Sequence, residues 1–242
     1  MKSLFLASCL AAALAGVAQG ATIAYEGVPY TPGALNTKGP GGGFAAPWAA
    51  DPGVVVVLGG LSSFLALPST GNAVDGSFNF VAPLINTIAP TAGKEFWAAF
   101  LVRHSAPNDQ TFMGLSPAGA VLGAIPSVAI GVQLSQYGIF VGGAFTPAPV
   151  LYTAPGSTDF LVAHFVAGGG TWIVSLFVNP SSFAVPKLVL NVAPVTYGTM
   201  VNQNQSGFQS DEFRLGDTAA DIAAGAVPTH DTTWGRLKAL YH

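Results

Sequence analysis

Short segments in which apolar side chains alternate with small or polar ones run through most of this sequence. In residues 128–135, Val128, Ile130, Val132 and Leu134 alternate with smaller or polar residues. A period of two places alternate side chains on opposite faces of a β-strand. This segment therefore predicts a half-buried strand whose four aliphatic residues point inward.

About eleven such segments are present, each short, rich in β-branched or aromatic residues, and bounded by Gly, Pro, Asn or Asp. They are Val54–Leu58, Ser63–Leu67, Ser77–Val81, Phe96–His104, Thr111–Leu115, Val128–Leu134, Tyr137–Val141, Phe160–Ala167, Thr171–Val178, Lys187–Val192 and Gly207–Leu215. Many short strands separated by turn signals predict a sandwich or barrel rather than βαβ units.

Two connections predict hairpins. Ser135 and Gln136 separate the strands on either side of them, and Gly168–Gly170 join Phe160–Ala167 to Thr171–Val178. Glycine reaches positive φ without steric cost, as tight hairpin turns require. A helix of one or two turns is expected only at Thr218–Gly225, where Thr218 or Asp217 would cap its start.

Composition narrows the class further. The chain holds 30 Gly and 18 Pro, which disfavour a helical bundle because both residues break helix interiors. With 50% hydrophobic and 8% charged residues it has the reverse of a disordered composition. Eight Lys and Arg and a net charge of −3 exclude a basic nucleic-acid surface. We therefore expect one all-β domain.

The N-terminus resembles an export signal. Lys2 precedes an apolar stretch from Leu4 to Val17, and small residues before Ala21 suit cleavage after Gly20. We expect residues 1–20 to be a signal peptide, 21–226 the domain and 227–242 a C-terminal tail. Cleavage would remove Cys9, the single cysteine, and no later apolar run reaches the ~18 residues of a membrane span. The mature protein is thus expected to be secreted, periplasmic or extracellular, without disulfides.

Motifs for catalysis are missing. The sequence has no G-x-S-x-G turn and no H-E-x-x-H spacing, and its glutamates are confined to Glu26, Glu95 and Glu212. Asp211 and Glu212 are neighbours on a strand, so we expect their side chains on opposite faces rather than as a hydrolytic pair. A calcium site built from loop oxygens stays open, with Asn108, Asp109 and Asp211 or Asp217 as its candidates.

Ligand contacts would come from aromatic rings and amide or carboxylate side chains. The aromatic material is Trp48, Trp97, Trp172 and Tyr137, and the polar loop is His104–Gln110. Loops on a rigid sandwich concentrate binding residues. We take Asn108, Asp109, Tyr137 and Trp172 as the candidate ligand-binding residues, although Trp97 and Trp172 also suit the core or a sheet edge. The stretch Asn202–Ser206 is expected to be a solvated loop.

Near the C-terminus, Ser210-Asp-Glu-Phe-Arg-Leu215 followed by Gly216–Ile222 resembles the concanavalin A-like, laminin-G-like jelly-roll domains of exported bacterial proteins. The order of Tyr25–Gly27, Phe96–Arg103, Phe160–His164 and Val174–Pro180 is similar to one branch of that family. The resemblance implies a two-sheet antiparallel jelly-roll sandwich, frequent carbohydrate or surface binding, and calcium in some members.

For the strand 210–215 we expect Phe213 and Leu215 to face the core, while Glu212 and Arg214 share the other face and pair. Three functions follow from these features. The first is an exported, non-catalytic sandwich that binds glycan or other extracellular material. The second is a structural or self-associating envelope protein, and the third is a polysaccharide-active glycoside hydrolase.

Overall fold

The structure is a computed structural model that describes residues 22–61, 71–76, 78–104, 110–151, 156–204 and 207–223. The expected signal peptide, the strand Ser63–Leu67 and the C-terminal tail lie outside these residues. More than half of the described residues lie in β-strands, and the one helix among them is short.

The strands form two antiparallel sheets. The nine-stranded sheet contains β1 (Thr22–Glu26), β2 (Gly33–Ala34), β4 (Val55–Val57), β5 (Ala73–Asp75), β7 (Glu95–His104), β12 (Thr158–Gly168), β13 (Thr171–Val178), β14 (Leu188–Val192) and β16 (Phe208–Gly216). The seven-stranded sheet contains β3 (Ala49–Ala50), β6 (Phe78–Ile88), β8 (Gln110–Ser116), β9 (Val128–Gln133), β10 (Gln136–Val141), β11 (Ala144–Leu151) and β15 (Tyr197–Asn204).

The chain crosses repeatedly between the two sheets. It alternates from β5 through β8, then forms the meanders β9–β11 and β12–β14 before β15 and β16 alternate again. Spatial neighbours are therefore distant in sequence: β15 lies between β6 and β8, and β16 lies beside β7. This wrapping confirms the predicted fold class, an all-β, two-sheet antiparallel jelly-roll sandwich.

Between the sheets, side chains from both inner faces form the main core. Ile130, Met113 and Met200 of the seven-stranded sheet belong to one buried cluster with Phe100 and Leu161 of the nine-stranded sheet. Each such side chain contributes about 1.5–3 kcal/mol when it is removed from water. The expected inward face of β9 is confirmed for its residues 128, 130 and 132, which are all buried.

A second apolar cluster covers the outer face of the nine-stranded sheet. Leu101, Phe160 and Phe177 project from the sheet and are buried together with Leu61 and Ile222, which come from outside it. Phe183, in the segment after β13, packs against the same cluster with its ring centroid 5.5 Å from that of Phe177. Three separate chain segments therefore close this face.

Both expected hairpins are present. Gly169 and Gly170 have φ of 60° and 79° between β12 and β13, as their sequence predicts. The β9–β10 turn is displaced by one residue, because Leu134 and Ser135 take positive φ and Gln136 pairs with Gln133. The expectation that Leu134 faces inward is therefore wrong: it is a turn residue, 66% exposed.

The sequence patterns do not predict six of the strands, namely β1, β2, β3, β5, β11 and β15. The two longest of these are β11 and β15. β11 contains Pro147 and Pro149, which cannot donate to a ladder, and it lies at the edge of its sheet. β15 extends to Asn204, so Asn202 and Asn204 are not in a solvated loop but fully buried in a central strand. Neighbours on both sides fix the register of β15 and override its polar composition.

The end of the domain follows the sequence closely. Phe213 and Leu215 lie in the core, while Glu212 and Arg214 form a buried pair with 2.7 Å between carboxylate Oε2 and guanidinium Nη2. The helix α1 spans Ala219–Ala223. At its start the capping side chain is that of Asp221, not that of Thr218 or Asp217, because the Asp221 carboxylate accepts both the backbone N–H and the hydroxyl of Thr218 at 2.8 Å.

Candidate functional site

Amide side chains form a row across the outer face of the seven-stranded sheet. We call this set, which comes from five different strands, the amide row: Asn79, Gln203, Gln110, Gln133 and Gln136. Pairing places Asn79 opposite Gln203, and Gln133 opposite both Gln110 and Gln136. Residues opposite one another in antiparallel strands share a face, so the register itself assembles the row.

Hydrogen bonds orient four members of the row. Asn79 Nδ2 donates to Asp51 Oδ2 at 3.2 Å, and three of the glutamines bond one another. Gln133 Nε2 donates to Gln110 Oε1 at 3.0 Å, and Gln110 Nε2 donates to Gln203 Oε1 at 3.2 Å. Within the described residues, Gln203 Nε2 and Gln133 Oε1 have no hydrogen-bond partner, and both side chains are half-buried. The three bonded glutamines therefore present a donor at Gln203 and an acceptor at Gln133.

Next to the row lies an apolar patch, made of Val81, Phe112, Ala129, Phe140 and Val201. The rings of residues 112 and 140 have centroids 5.1 Å apart and are tilted by 49°. Phe145 of β11 packs on this patch from the sheet edge, 4.7 Å from Phe140 between centroids. The outer face thus combines rings with neutral polar groups.

The loop of residues 117–127, between β8 and β9, lies over part of this face. It approaches closely because Gly114 has no side chain: a Cβ there would lie 2.7 Å from Pro126 Cβ. At Gly138 a Cβ would lie 2.3 Å from Phe145 Cε2, so the ring occupies the space above that glycine. Missing side chains in the sheet let the loop and the ring lie close to the backbone.

A pocket of about 270 Å³ remains between the loop and the row. Its polar lining is Asn79, Gln110 and Gln203, and its apolar walls include Phe112 and Phe140 with loop residues 123–126. This volume is slightly below the ~300–1,000 Å³ of pockets for drug-sized molecules, so the pocket suits one small ring. No charged side chain is among its described lining residues.

Tyr137, a candidate from the sequence, points into the core instead of toward a ligand. It is 0% exposed, and its hydroxyl donates to Asp159 Oδ2 at 2.6 Å. Asn179 Nδ2 donates to the other oxygen of the same carboxylate at 2.6 Å. Tyr137 of the seven-stranded sheet is therefore hydrogen-bonded to the buried Asp159 of the nine-stranded sheet. Its position on β10 places its side chain on the inner face, away from any ligand.

Trp172 is also 0% exposed. Its indole N–H donates to the Val195 carbonyl at 2.9 Å, and its ring packs against Phe96, Phe165 and Tyr197. Neither Trp172 nor Tyr137 offers a surface to a ligand. The choice of these rings failed because a strand aromatic on the inner face serves the core.

Trp48 and Trp97 are buried as well. Trp48 donates its indole N–H to Glu26, and Trp97 stacks on His164 with centroids 3.9 Å apart. His164 Nε2 lies 3.2 Å from Glu95 Oε2. Burial lowers the pKa of His164, and the nearby Glu95 opposes that shift.

The remaining candidates, Asn108 and Asp109, lie outside the described residues, so their binding role stays a prediction. Of the acids considered for calcium, Asp211 and Asp217 lie within the described residues, and both have protein partners. Asp211 accepts the N–H groups of Leu61 and Glu212 through its two oxygens, and Asp217 pairs with Lys94 at 2.6 Å. Across the described ranges no cluster of three His, Cys, Asp or Glu residues is placed to hold a metal.

Glu26 is a buried carboxylate with several donors. Its Oε1 accepts the Val28 N–H at 2.6 Å, and its Oε2 accepts the Gly41 N–H at 2.8 Å, the Trp48 indole N–H and the Tyr30 hydroxyl. Burial raises the pKa of Glu26, although these hydrogen bonds oppose the shift. The group therefore ties β1 to the loop that follows it.

Sequence reasoning overlooked the amide row as a site. The sequence places Gln133 on the outer face of its strand. It predicts, however, that Gln203 lies in the loop Asn202–Ser206 and that Gln110 ends the loop His104–Gln110. One signal is present in the sequence. Val201 and Gln203 are two residues apart, as are Gln110 and Phe112, so each pair places a glutamine and an apolar residue on the same face of its strand. That signal needs the strand order, because only β15 lying beside β8 makes these residues neighbours.

Several solved structures are similar to this chain at low sequence identity. They include the Emp46p carbohydrate recognition domain in its metal-free form, with 9% identity and a TM-score of 0.41 over 70% of this chain and 88% of that one. The Ca²⁺/Man3GlcNAc-bound exoplasmic/lumenal domain of VIP36 has 10% identity and a TM-score of 0.39 over 71% and 82%. The SPRY domain of human HERC1 has 14% identity and a TM-score of 0.39 over 69% and 89%.

No family model matches the sequence, and no curated protein is significantly similar to it. Among the described residues, no helix has the length and hydrophobicity needed to cross a membrane.

Proposed function

We propose that this chain is an exported, non-catalytic sandwich that binds a neutral glycan in the pocket beside the amide row. The supporting observation is the composition of that pocket, in which three amide side chains stand beside two aromatic rings without any charged group. Export is proposed from the leader-like residues 1–20 alone.

A neutral sugar matches both parts of this lining. Its hydroxyl groups both donate and accept, as do the carboxamides of Gln110 and Gln203. Its C–H surfaces are apolar and suit the walls formed by Phe112 and Phe140. A charged sugar would be desolvated there without a counter-charge, which is unfavourable. Uronic and sialic acids should therefore bind poorly.

Hydrolysis is the weaker alternative. It needs two carboxyl groups about 5–10 Å apart across the substrate, and no carboxylate is among the described lining of this pocket. Glu26 and Glu212 are buried and hydrogen-bonded elsewhere. The pocket is therefore proposed to bind a glycan without cleaving it.

A glycan array followed by titration calorimetry on the best ligand tests the proposal. We expect retention of neutral glycans, and Gln203→Ala should weaken binding about 3- to 10-fold, since one hydrogen bond contributes about 0.5–1.5 kcal/mol. Gln209→Ala is the matched control, because Gln209 bonds Asp75 on the other sheet. Lack of retention on every glycan, or equal losses in both variants, would overturn the proposal.

A further inference from the structure

The sheet edges of the sandwich are protected to very different degrees. Edge strands expose unpaired backbone groups, and proteins usually cover, shorten or interrupt them. In the seven-stranded sheet, β3 has two residues, and β11 contains Pro147 and Pro149. In the nine-stranded sheet, β2 has two residues as well. These three edges follow the usual pattern.

β1 also has an edge without a strand beside it, but a loop covers that edge. The Tyr25 N–H donates to the Gly42 carbonyl at 2.9 Å. A Cβ on Gly43 would lie 2.1 Å from the Ile23 carbonyl oxygen, so the loop backbone is in direct contact with the strand.

β14 differs from all of these. It has five residues, Leu188–Val192, with no proline and no charge, and β13 is its sole strand partner among the described residues. Val189 is 49% exposed, and Val185 just before the strand is 72% exposed. A strand of this length and composition is open to pairing with another strand.

The sequence around β14 is symmetric about its centre. Pro186 and Pro194 each lie four residues from Leu190. In an antiparallel pair of two copies centred on Leu190, the prolines of one copy face those of the other at the ends. Proline, which has no N–H, is thereby kept out of the paired segment.

The same register suits the side chains and the charge. It places Val189 opposite Asn191 of the other copy and Leu190 opposite itself, so the alternation of inner and outer faces continues across the pair. Lys187 is the nearest charge in sequence. The two copies of Lys187 would be six residues apart along the pair, about 20 Å, too far for strong repulsion.

We infer that β14 is a self-association edge, at which a second copy of this chain pairs antiparallel around Leu190 and joins two nine-stranded sheets. The contact is isologous, since the same strand is used by both copies, and it closes as a dimer rather than a fibre. It lies on a different sheet from the pocket and stands independently of the glycan proposal.

Sedimentation velocity over a range of concentrations, with hydrogen exchange on the full chain, tests this inference. We expect a concentration-dependent dimer and slower exchange of the amides of residues 188–192 in the dimer. Val189→Lys should weaken association at least tenfold. Ile85→Lys, at an exposed aliphatic residue on β6, is the matched control and should leave association unchanged.

The register has its own test. Two variants are mixed, one with Val189→Lys and the other with Asn191→Asp. In the proposed register, the lysine side chain at position 189 of the first lies opposite the carboxylate at position 191 of the second. A mixture of the two variants should therefore dimerise more tightly than Val189→Lys alone. A monomer at all concentrations, protection outside β14, equal effects of the two lysine variants, or a mixture that gains nothing would each overturn the inference.

Discussion

The two outer faces of the sandwich both bury apolar side chains, but they are covered in different ways. On the nine-stranded sheet, cover comes from Leu61, the segment holding Phe183, and helix α1. On the seven-stranded sheet it comes from the 117–127 loop and Phe145, and a pocket stays open beside the amide row. Cover on the first face buries apolar side chains, whereas the second face also offers neutral polar groups to a ligand.

The largest expected effect separates the inner face of β9 from its outer face. Ile130→Asp places a charge in the main core without a counter-charge, so we expect no cooperative unfolding transition. Gln133→Asp, on the half-buried amide row, should fold with a nearly unchanged free energy of unfolding. Thermal unfolding followed by circular dichroism distinguishes the variants, and equal melting temperatures would show that the faces are assigned wrongly.

A smaller effect should separate the covered outer face from the loop of the open one. Leu101→Ala opens a cavity under the cover of the nine-stranded sheet and should lower the free energy of unfolding by about 2–5 kcal/mol. Val121→Ala, at an exposed site of the loop, should change it by less than about 0.5 kcal/mol. Urea titration measures both, and a low cost for Leu101→Ala would mean that this face is not closed.

Stability should also depend on pH through Glu26. Because its pKa is raised in the folded state, the folded protein retains this proton more strongly than the unfolded chain does. This contribution is fully present below the ordinary glutamate pKa of 4.5 and is lost as pH rises through the raised folded pKa. Glu26→Gln should flatten that part of the pH profile of unfolding free energy, and an unchanged profile would contradict the assignment.

The smallest expected effect is on binding. The described lining of the pocket contains no titratable side chain, so glycan affinity should vary less than about twofold between pH 5 and 8. Calorimetric titrations at several pH values check this expectation. A bell-shaped or stepped profile would place a titrating group in the site and would contradict this expectation.

Local patterns in the sequence were sufficient for many strands. Thr171–Val178 has the bounds expected for it, and the glycine turn before it has the expected positive φ. These features depend on alternation and turn chemistry within a few residues. The sequence also predicts the pair formed by Glu212 and Arg214, but a bulge with φ of 53° at Glu212 interrupts the alternation on which that prediction rests.

The site depended on non-local information. Asn202 was assigned to a loop because its neighbours are polar, although its place between β6 and β8 buries it. Trp172 was chosen as a ligand contact because aromatic rings suit sugars, but its face on β13 is toward the core. Sequence alternation gives two faces for each strand, and strand order decides which of them becomes a surface.

Gly114 and Gly138 determine the shape of the outer face of the seven-stranded sheet. A methyl group at either position would lift Pro126 or the ring of Phe145 away from the sheet. The depth of the pocket beside the amide row therefore depends on the absence of side chains at these two glycines. A Cβ at either glycine would also lie within 2.8 Å of a carbonyl oxygen of the neighbouring strand, so enlarging these positions would displace the sheet itself.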